Sequence, residues 1–228
     1  MFKAVLLLFK FYKLYNEKGN IMKKYCKHCI YESLTHDLVT FSPQETIFME
    51  GFSLDYVYKI KEGFVKMNRI HPNGDEKIFD ILGPGDYIAL LAVLQEKNEY
   101  LASSVSLTKV TAVRISSDKV LEAYRSNAIF QESCLNCAVM RSTMFQDKLF
   151  QTSNIDTEDK ILATLRILAK KFGIIKDDGL IEMKLPFSKT ELANIVGIRR
   201  ETLSRKLSEM QENKIIQINK NIYKFNRL

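Results

Sequence analysis

The chain has 228 residues and a net charge of +7, with 46% hydrophobic, 11% aromatic and 27% charged residues. This size and composition are sufficient for two folded domains and exclude disorder throughout the chain. Nine glycines and four prolines exclude a collagen-like or low-complexity architecture. Residues 186–228 carry nine basic and four acidic side chains, whereas residues 29–185 are slightly acidic. The basic end indicates a nucleic acid partner, with a merely solvated basic face as the alternative.

Residues 1–37 form an N-terminal extension that begins with an apolar stretch. Lys10 and Lys13 interrupt this stretch, and no small-residue cleavage site follows it. We therefore expect neither a signal peptide nor a membrane span, and a cytoplasmic protein without a membrane partner. Two interpretations of residues 1–21 stay open. They could form a short amphipathic helix, or they could precede a translation start at Met22, because residues 17–20 correspond to purine-rich codons typical of a ribosome-binding site.

Residues 38–117 contain short alternating segments separated by glycine turns. The alternating segment at residues 56–60 is followed by Glu62-Gly63, and Asn73-Gly74 is a strong hairpin signal. A further turn follows at residues 83–86, before a loosely alternating stretch up to residue 115. Many short strands joined by glycine turns predict an antiparallel barrel or sandwich.

Residues 118–153 contain neither glycine nor proline, which predicts one long helix. Its first apolar stripe has alternating spacings of three and four residues, as in a coiled coil, and consists of Leu135, Ala138, Ser142, Phe145 and Leu149. A second stripe beside it contains Cys137, Met140 and Met144. Because two stripes need two surfaces, we expect the first to form a homodimer interface and the second to pack on the barrel. An ordinary core helix of a monomer is the alternative.

Residues 154–228 are predicted to form the C-terminal domain, whose first helix covers about residues 158–172. Ser188 and Glu191 have the spacing of a capping box, which begins the next helix. Gly197 supplies a left-handed turn, and a further helix follows it. A helix, a glycine turn and a second helix at this spacing predict a helix-turn-helix, with an arbitrary helical pair as the alternative.

The second helix of such a unit enters the major groove of DNA. Arginine can bind guanine with two hydrogen bonds, and glutamate can accept one from cytosine. The hairpin of residues 215–218 and 222–225 is suited to be a basic wing on the phosphates. The candidate DNA-binding residues are therefore Ser188, Arg199, Arg200, Glu201, Thr202, Ser204, Arg205 and Lys220.

The order of barrel, long helix and winged helix-turn-helix resembles the cyclic-AMP receptor protein/FNR (CRP/FNR) family of bacterial transcription regulators. The likeness covers residues 38–228. It rests on Glu50-Gly51, Tyr56-Val57-Tyr58, Glu62-Gly63-Phe64-Val65-Lys66, Asn73-Gly74-Asp75-Glu76-Lys77, Gly83-Pro84-Gly85-Asp86, and Ile195-Val196-Gly197 before Arg200-Glu201-Thr202-Leu203-Ser204-Arg205.

The resemblance implies an α+β fold with an N-terminal antiparallel β-barrel, of the jelly-roll type that binds cyclic nucleotides, as the sensor. A dimerisation helix and a C-terminal winged helix-turn-helix follow it. It also implies a homodimer that binds an inverted repeat in double-stranded promoter DNA, acts with RNA polymerase and is not an enzyme.

The residues that would bind the effector depart from the family pattern. Its cyclic-AMP binders carry a Gly-Glu-Leu turn and a later Arg-Ser/Thr-Ala, whose carboxylate and guanidinium bind the ribose and the phosphate. The corresponding residues here are Ala89-Leu90-Leu91 and Tyr100-Leu101-Ala102. A buried phosphate without a cation is costly, so these residues argue against cyclic AMP as the effector.

The four cysteines form two pairs with two intervening residues each. FNR-type sensors hold an iron–sulfur cluster with N-terminal cysteines and one at the end of the barrel, where this chain has Val113. Cys26 and Cys29 are candidate ligands of an iron–sulfur cluster or zinc, or a redox pair. Cys134 and Cys137 could complete a four-thiolate site, or they could be small core residues.

Two alternatives for the function stay open. The first keeps the DNA-binding regulator but makes its signal an unidentified small molecule in the barrel. The second, from a different class, is a CxxC thiol oxidoreductase, although the βαβ context expected for that motif is missing.

Overall fold

The computed structural model describes residues 37–152, 156–176 and 179–226. The strands in these ranges are β1 Asp37–Phe41, β2 Thr46–Phe48, β3 Tyr56–Glu62, β4 Val65–Ile70, β5 Glu76–Leu82, β6 Tyr87–Ile88, β7 Ser103–Ser106, β8 Val110–Ser116, β9 Gly173–Ile175, β10 Leu180–Lys184, β11 Ile216–Asn219 and β12 Ile222–Asn226. The helices are α1 Leu90–Leu94, α2 Ser117–Ser126, α3 Ala128–Thr152, α4 Thr157–Phe172, α5 Lys189–Val196 and α6 Arg200–Glu212. None of these helices is long and apolar enough to cross a membrane.

The N-terminal domain, residues 37–116, consists of two antiparallel sheets. Their strand orders are β1-β8-β3-β6 and β2-β7-β4-β5. Val57 and Ile60 from the first sheet and Val65 from the second are fully buried in one hydrophobic cluster, so the core lies between the sheets. In the described residues no strand ladder joins the two sheets, so the predicted barrel is an open jelly roll.

The turn between β3 and β4 depends on Gly63. Its φ is +85°, which favours glycine. A Cβ at this position would contact the carbonyl oxygen of Lys109 and lie 2.8 Å from Thr108 Oγ1. The backbone N–H of Phe64 donates to the same Thr108 Oγ1 at 3.0 Å, which fixes this turn against the turn between β7 and β8.

The helix predicted over residues 118–153 is divided in two by Asn127. The backbone of Asn127 is extended, with φ −131° and ψ 107°, so helix α2 ends before it. Its side-chain oxygen accepts a hydrogen bond from the backbone N–H of Phe130 at 3.0 Å. This bond satisfies an otherwise unpaired donor in the first turn of α3, which explains why a new helix begins here.

The C-terminal domain, residues 156–226, combines α4, α5 and α6 with a sheet of order β11-β12-β10-β9. The sequence analysis predicted β11 and β12 but missed β9, which has three residues, and β10, although residues 181–184 alternate between apolar and charged side chains. Side chains of all three helices form the core together with β10 and β12. Ile78, Ile81 and Leu107 of the N-terminal domain belong to the same cluster, so the two domains are packed against each other.

Gly63→Ala should lower the free energy of unfolding more than Gly74→Ala. Both glycines have positive φ, +85° and +89°, which costs an alanine about 1–2 kcal/mol. The space around Gly74 is open, whereas a Cβ on Gly63 would contact the turn between β7 and β8. We expect this contact to add about 1–3 kcal/mol. Urea unfolding of both variants measures the difference, and equal losses would contradict the role of this contact.

Candidate nucleic-acid interface

Helix α5 begins at the capping box that the sequence predicts. The backbone N–H of Glu191 donates to Ser188 Oγ at 3.2 Å, and that of Ser188 donates to Glu191 Oε2 at 2.9 Å. These two bonds satisfy amide donors that a helix start leaves open. Ser188 itself is exposed, whereas Leu192 and Ile195 of the same helix are buried.

Gly197 ends α5 and turns the chain toward α6. Its φ of +78° lies in the left-handed region, and its N–H donates to the carbonyl of Ala193 at 2.8 Å. Arg199 is the N-cap of α6. On the inner face of α6, Leu203 and Leu207 are buried in the core, which fixes the rotation of the helix about its axis.

This rotation brings the predicted DNA-binding residues to the outer face of α6. Arg199, Arg200, Glu201 and Arg205 are exposed, and Thr202 and Ser204 are half-buried. The polar side chains at the start of α6 are therefore available to a partner, and the apolar ones hold the helix on the domain.

Arg205 is held along the helix axis by Glu209. Its Nη1 lies 2.6 Å from Glu209 Oε1, and Lys206 Nζ lies 2.8 Å from Oε2 of the same carboxylate. The hydrogen bond from Lys206, and then that from Arg205, lowers the pKa of Glu209, which therefore stays ionised. Arg205 must leave or share this carboxylate to bind a base or a phosphate.

The predicted wing is the hairpin of β11 and β12. Lys220 lies exposed at its tip with φ +54°. Its neighbour Asn221 is anchored to the end of β10, because its Nδ2 donates to the carbonyl of Leu185 at 3.0 Å. On β10, Glu182 accepts from Lys224 Nζ at 2.7 Å, and this bond, followed by that from Lys176, lowers the pKa of Glu182.

A buried ion-pair network joins α5 to the N-terminal domain. We call it the Lys66 network; it consists of Lys66 on β4, Glu76 on β5, and Glu191 and Asn194 on α5. Lys66 Nζ lies 2.9 Å from Glu76 Oε1 and 3.5 Å from Glu191 Oε1. Asn194 Nδ2 donates to Glu76 Oε2 at 3.1 Å. The carboxylate that caps α5 therefore also holds the DNA-binding domain against the N-terminal domain.

Sequence analysis identified Glu191 only as a cap and missed this network. Lys66 and Glu76 lie more than a hundred residues before Glu191 and Asn194, so no local pattern connects the two halves of the network. The one local signal is Lys66 itself, a charged residue inside the strand Val65–Ile70, because a buried lysine requires an ionic partner.

The two positions that would bind a cyclic nucleotide are filled by apolar and aromatic side chains. Leu90 and Tyr100 are 4% and 5% exposed. The ring of Tyr100 stacks on Phe48 with centroids 3.7 Å apart, and its hydroxyl donates to the carbonyl of Tyr56 at 3.0 Å. Burial raises the pKa of the Tyr100 hydroxyl. These positions therefore carry no charge at neutral pH.

The candidate metal ligands are only in part within the described residues. Cys26 and Cys29 lie outside them. Cys134 and Cys137 are 2% and 6% exposed and pack into the core of the N-terminal domain. In the described ranges, no cluster of three or more histidine, cysteine or acidic residues could hold a metal ion.

Two domain families match the chain in the order of its two domains. Residues 38–127 match the cyclic nucleotide-binding domain, and residues 160–227 match the Crp-like helix-turn-helix domain. The chain is 27% identical over 171 residues to the CRP-like cAMP-activated global transcriptional regulator of Mycobacterium tuberculosis (strain CDC 1551 / Oshkosh), covering 75% of each chain.

Further similarities come from proteins with different physiological roles. The chain is 27% identical over 186 residues to the global nitrogen regulator of Nostoc sp., covering 79% of this chain and 81% of that protein. The structure of FixK2 from Bradyrhizobium japonicum has the same fold, with a TM-score of 0.73 and 16% identity over 85% of this chain and 94% of that one.

A cyclic nucleotide-binding-like domain followed by a Crp-like helix-turn-helix defines a DNA-binding transcription regulator. The chain belongs to the CRP/FNR family of such regulators. Of the two relatives of equal identity, one is named as cAMP-activated and the other as a nitrogen regulator, so membership of the family leaves the effector of this chain open.

Lys66→Ala should lower the free energy of unfolding by about 3 kcal/mol, because it leaves the carboxylates of Glu76 and Glu191 together without their cation. Arg125→Ala is the matched control. It removes a pair with Glu96 in which both side chains are about 60% exposed, and should cost less than about 1 kcal/mol. Urea unfolding, followed by one probe in each domain, measures the loss of unfolding free energy in the two variants. Similar losses in the two variants would contradict a structural role of the Lys66 network.

Proposed function

We propose that the protein is a homodimeric, sequence-specific regulator of transcription whose α6 helices bind adjacent major grooves. The observation that carries this proposal is the exposed polar face at the start of α6, held in place by the buried Leu203 and Leu207. The basic excess of residues 186–228 favours DNA, and Lys220 at the tip of the wing is placed to contact a phosphate. We also propose that the protein acts in the cytoplasm and that RNA polymerase is its further partner.

The half-site is proposed from the side chains at the start of α6. By the family resemblance, Glu201 and Arg205 contact a G·A step shared by the two main branches of the family. Ser204 matches the FNR branch and Arg200 matches the cyclic-AMP receptor branch. A two-fold dimer of this chain should therefore bind an inverted repeat of TTGA- or TGTGA-like half-sites with centres about one helical turn apart.

Arg205→Ala and Lys220→Ala should have different effects on DNA binding. Loss of a base contact by Arg205 should cost about 1–3 kcal/mol and relax discrimination at one base pair. Loss of a phosphate contact by Lys220 should weaken binding to all sequences about equally and lower the salt slope by about one. Mobility shifts over a series of salt concentrations, on the selected site and its single-base variants, measure both effects.

Selection of binding sites from random DNA provides the corresponding test of the proposal. It should recover an inverted repeat with the wild-type protein and a degenerate base pair in each half-site with Arg205→Ala. Recovery of no palindrome, or an unchanged preference in Arg205→Ala, would exclude α6 as the recognition helix.

The homodimer is supported by the apolar stripe that α3 leaves uncovered in a single chain. Leu135, Phe145 and Leu149 are 63%, 52% and 58% exposed, with Ala138 and Ser142 between them. The neighbouring side of α3 is covered by the N-terminal domain, where Phe130, Cys134 and Cys137 are buried. Two such stripes packed together would bury apolar area that is otherwise in water.

Phe145→Glu should convert the dimer to monomers, because it places two carboxylates in the interface without partners. Ile129→Glu is a suitable control, since Ile129 is also on α3 and 60% exposed but lies outside the predicted stripe. Sedimentation at micromolar concentration gives the oligomeric state of each variant. A monomeric wild type, or dissociation of both variants alike, would contradict this interface.

The proposed regulator does not respond to cyclic AMP. Leu90 and Tyr100 correspond to the carboxylate and the guanidinium of the family's cyclic-AMP binders. The ring of Tyr100 is buried and stacked on Phe48. Placing a phosphate beside these side chains would leave its charge without a partner.

Cyclic AMP should therefore give no binding heat at physiological concentration and no change in DNA affinity. Isothermal titration calorimetry and mobility shifts with and without the nucleotide test these two expectations. Micromolar affinity would mean that another cation neutralises the phosphate, and it would overturn this part of the proposal.

We also propose Cys26 and Cys29 as the redox- or oxygen-sensitive element. They stand close to Lys23, Lys24 and Lys27, whose charges favour the thiolate form. An iron–sulfur cluster or zinc is the proposed group, and the buried Cys134 and Cys137 would have to leave the core to contribute. Absorbance and metal content of anaerobically purified protein, with DNA affinity before and after oxidation, decide whether these cysteines carry a signal.

A further inference from the structure

A cavity of about 430 Å³ lies at the junction of the two domains. Strand β5, helix α3 and helices α4 and α5 each contribute to its wall, for example through Ile78, Phe145, Leu168 and Ile195. Most of the lining is apolar. Its volume lies within the range of about 300–1,000 Å³ that is typical of small-molecule sites.

The two charged side chains in this wall already neutralise each other. Arg141 Nη2 lies 3.0 Å from Asp80 Oδ2, and Arg141 Nη1 donates to the carbonyl of Tyr87 at 3.2 Å. A molecule in this cavity would therefore contact an apolar wall with one ion pair at its edge.

A second cavity of about 200 Å³ adjoins the first and is basic. The two share Ile78, Phe79, Phe145 and Ile195, and the second adds Lys77 of β5 and Lys160 of α4. Both ammonium groups lie beside Gly197 at the end of α5. A Cβ on Gly197 would contact Lys77 Nζ and lie 3.9 Å from Lys160 Nζ.

The two lysines lie close to each other beside Gly197; Lys77 is exposed and Lys160 is half-buried. Neither forms an ion pair with a carboxylate or donates its ammonium group to a carbonyl in the described part of the chain. Desolvation, and then the charge of Lys160, lower the pKa of Lys77. The partial negative charge at the end of α5 offsets only part of this repulsion. An anion between the two ammonium groups would reduce it further.

We propose that this junction binds an amphipathic organic anion, with its apolar body in the larger cavity and its carboxylate or phosphate between Lys77 and Lys160. Because Lys77 belongs to the N-terminal domain and Lys160 to the C-terminal domain, the bound anion contacts both. Such a ligand binds only while the two domains are packed together as in this structure. It therefore stabilises this packed state relative to states in which the two lysines are apart. Ala138, Ser142 and Phe145 of the proposed dimer stripe also line the larger cavity, and Leu149 lines the smaller one, so the site and the proposed dimer interface share one side of α3. Among the described residues, the candidate cysteines Cys134 and Cys137 do not line either cavity.

Calorimetry of the full chain without DNA tests this site with four probes. Octanoate and octyl phosphate carry both an apolar body and a charge, octan-1-ol carries only the body, and acetate carries only the charge. We expect octanoate or octyl phosphate to bind at least about tenfold more tightly than octan-1-ol and acetate. The tighter of the two identifies the head group.

Variants of the two lysines measure the contribution of their charge to binding separately from that of the apolar cavity. Lys77→Gln and Lys160→Gln should each weaken binding of the charged probe by about tenfold and leave octan-1-ol unchanged. Lys119→Gln, on the exposed face of α2, is the matched control and should change neither. Ile167→Trp should fill the larger cavity and abolish binding of all probes with an apolar body; if that variant does not fold, the two lysine variants are sufficient.

Three results would overturn the proposal. They are no binding of octanoate or octyl phosphate, binding that neither lysine variant weakens, and equal weakening by Lys119→Gln. Mobility shifts on the same preparations keep this result separate from the DNA-binding proposal, because a protein that binds octanoate but no DNA would contradict only the latter.

Discussion

The packing of α5 against β4 and β5 is the interaction on which the arrangement of this protein depends. At its centre Lys66 lies between Glu76 and Glu191, and all three side chains are largely removed from water. Separating the domains would leave these charges to be solvated again, while Ile78 and Ile81 would be exposed from the shared apolar cluster. The position of the DNA-binding helices is therefore coupled to the N-terminal domain through both ionic and apolar contacts.

Strand β5 has contacts in three directions, which makes it the connection between the parts of the chain. Leu82 lies in the core of the N-terminal domain, and Ile78 and Ile81 lie in that of the C-terminal domain. Asp80 pairs with Arg141 on α3, so the same strand also holds the long helix. A change in the N-terminal domain that moved β5 would act on α3 and α5 together.

The positions that correspond, by the family resemblance, to the nucleotide-binding residues belong to the apolar core of this chain. The two-sheet core requires only apolar side chains facing inward. The effector positions hold Leu90 and a stacked Tyr100, which are buried in this same core, so charged residues there would need partners or solvent. The junction cavity is a separate region, at which β5, α3, α4 and α5 meet.

The amino-acid sequence alone was sufficient to predict those elements whose signals are local. The capping box at Ser188, the left-handed Gly197 and the polar face of α6 are each defined by residues within one or two helical turns, and the order of domains follows from such motifs. The strands β9 and β10, the break at Asn127 and the open jelly roll are less regular. Asn127 is a favoured helix cap and residues 181–184 alternate, so the break and β10 have local signals that the sequence analysis missed, whereas packing decided the open jelly roll.

The functional contacts between domains were decided by tertiary structure only. Lys66 and Glu191 are separated by more than a hundred residues, as are Lys77 and the glycine beside its ammonium group, Gly197. Local propensity carries no information about which distant side chains become neighbours, since that depends on how whole elements pack. The sequence by itself therefore determined the class of protein and its DNA-binding helix, and the folded chain determined what holds that helix in place.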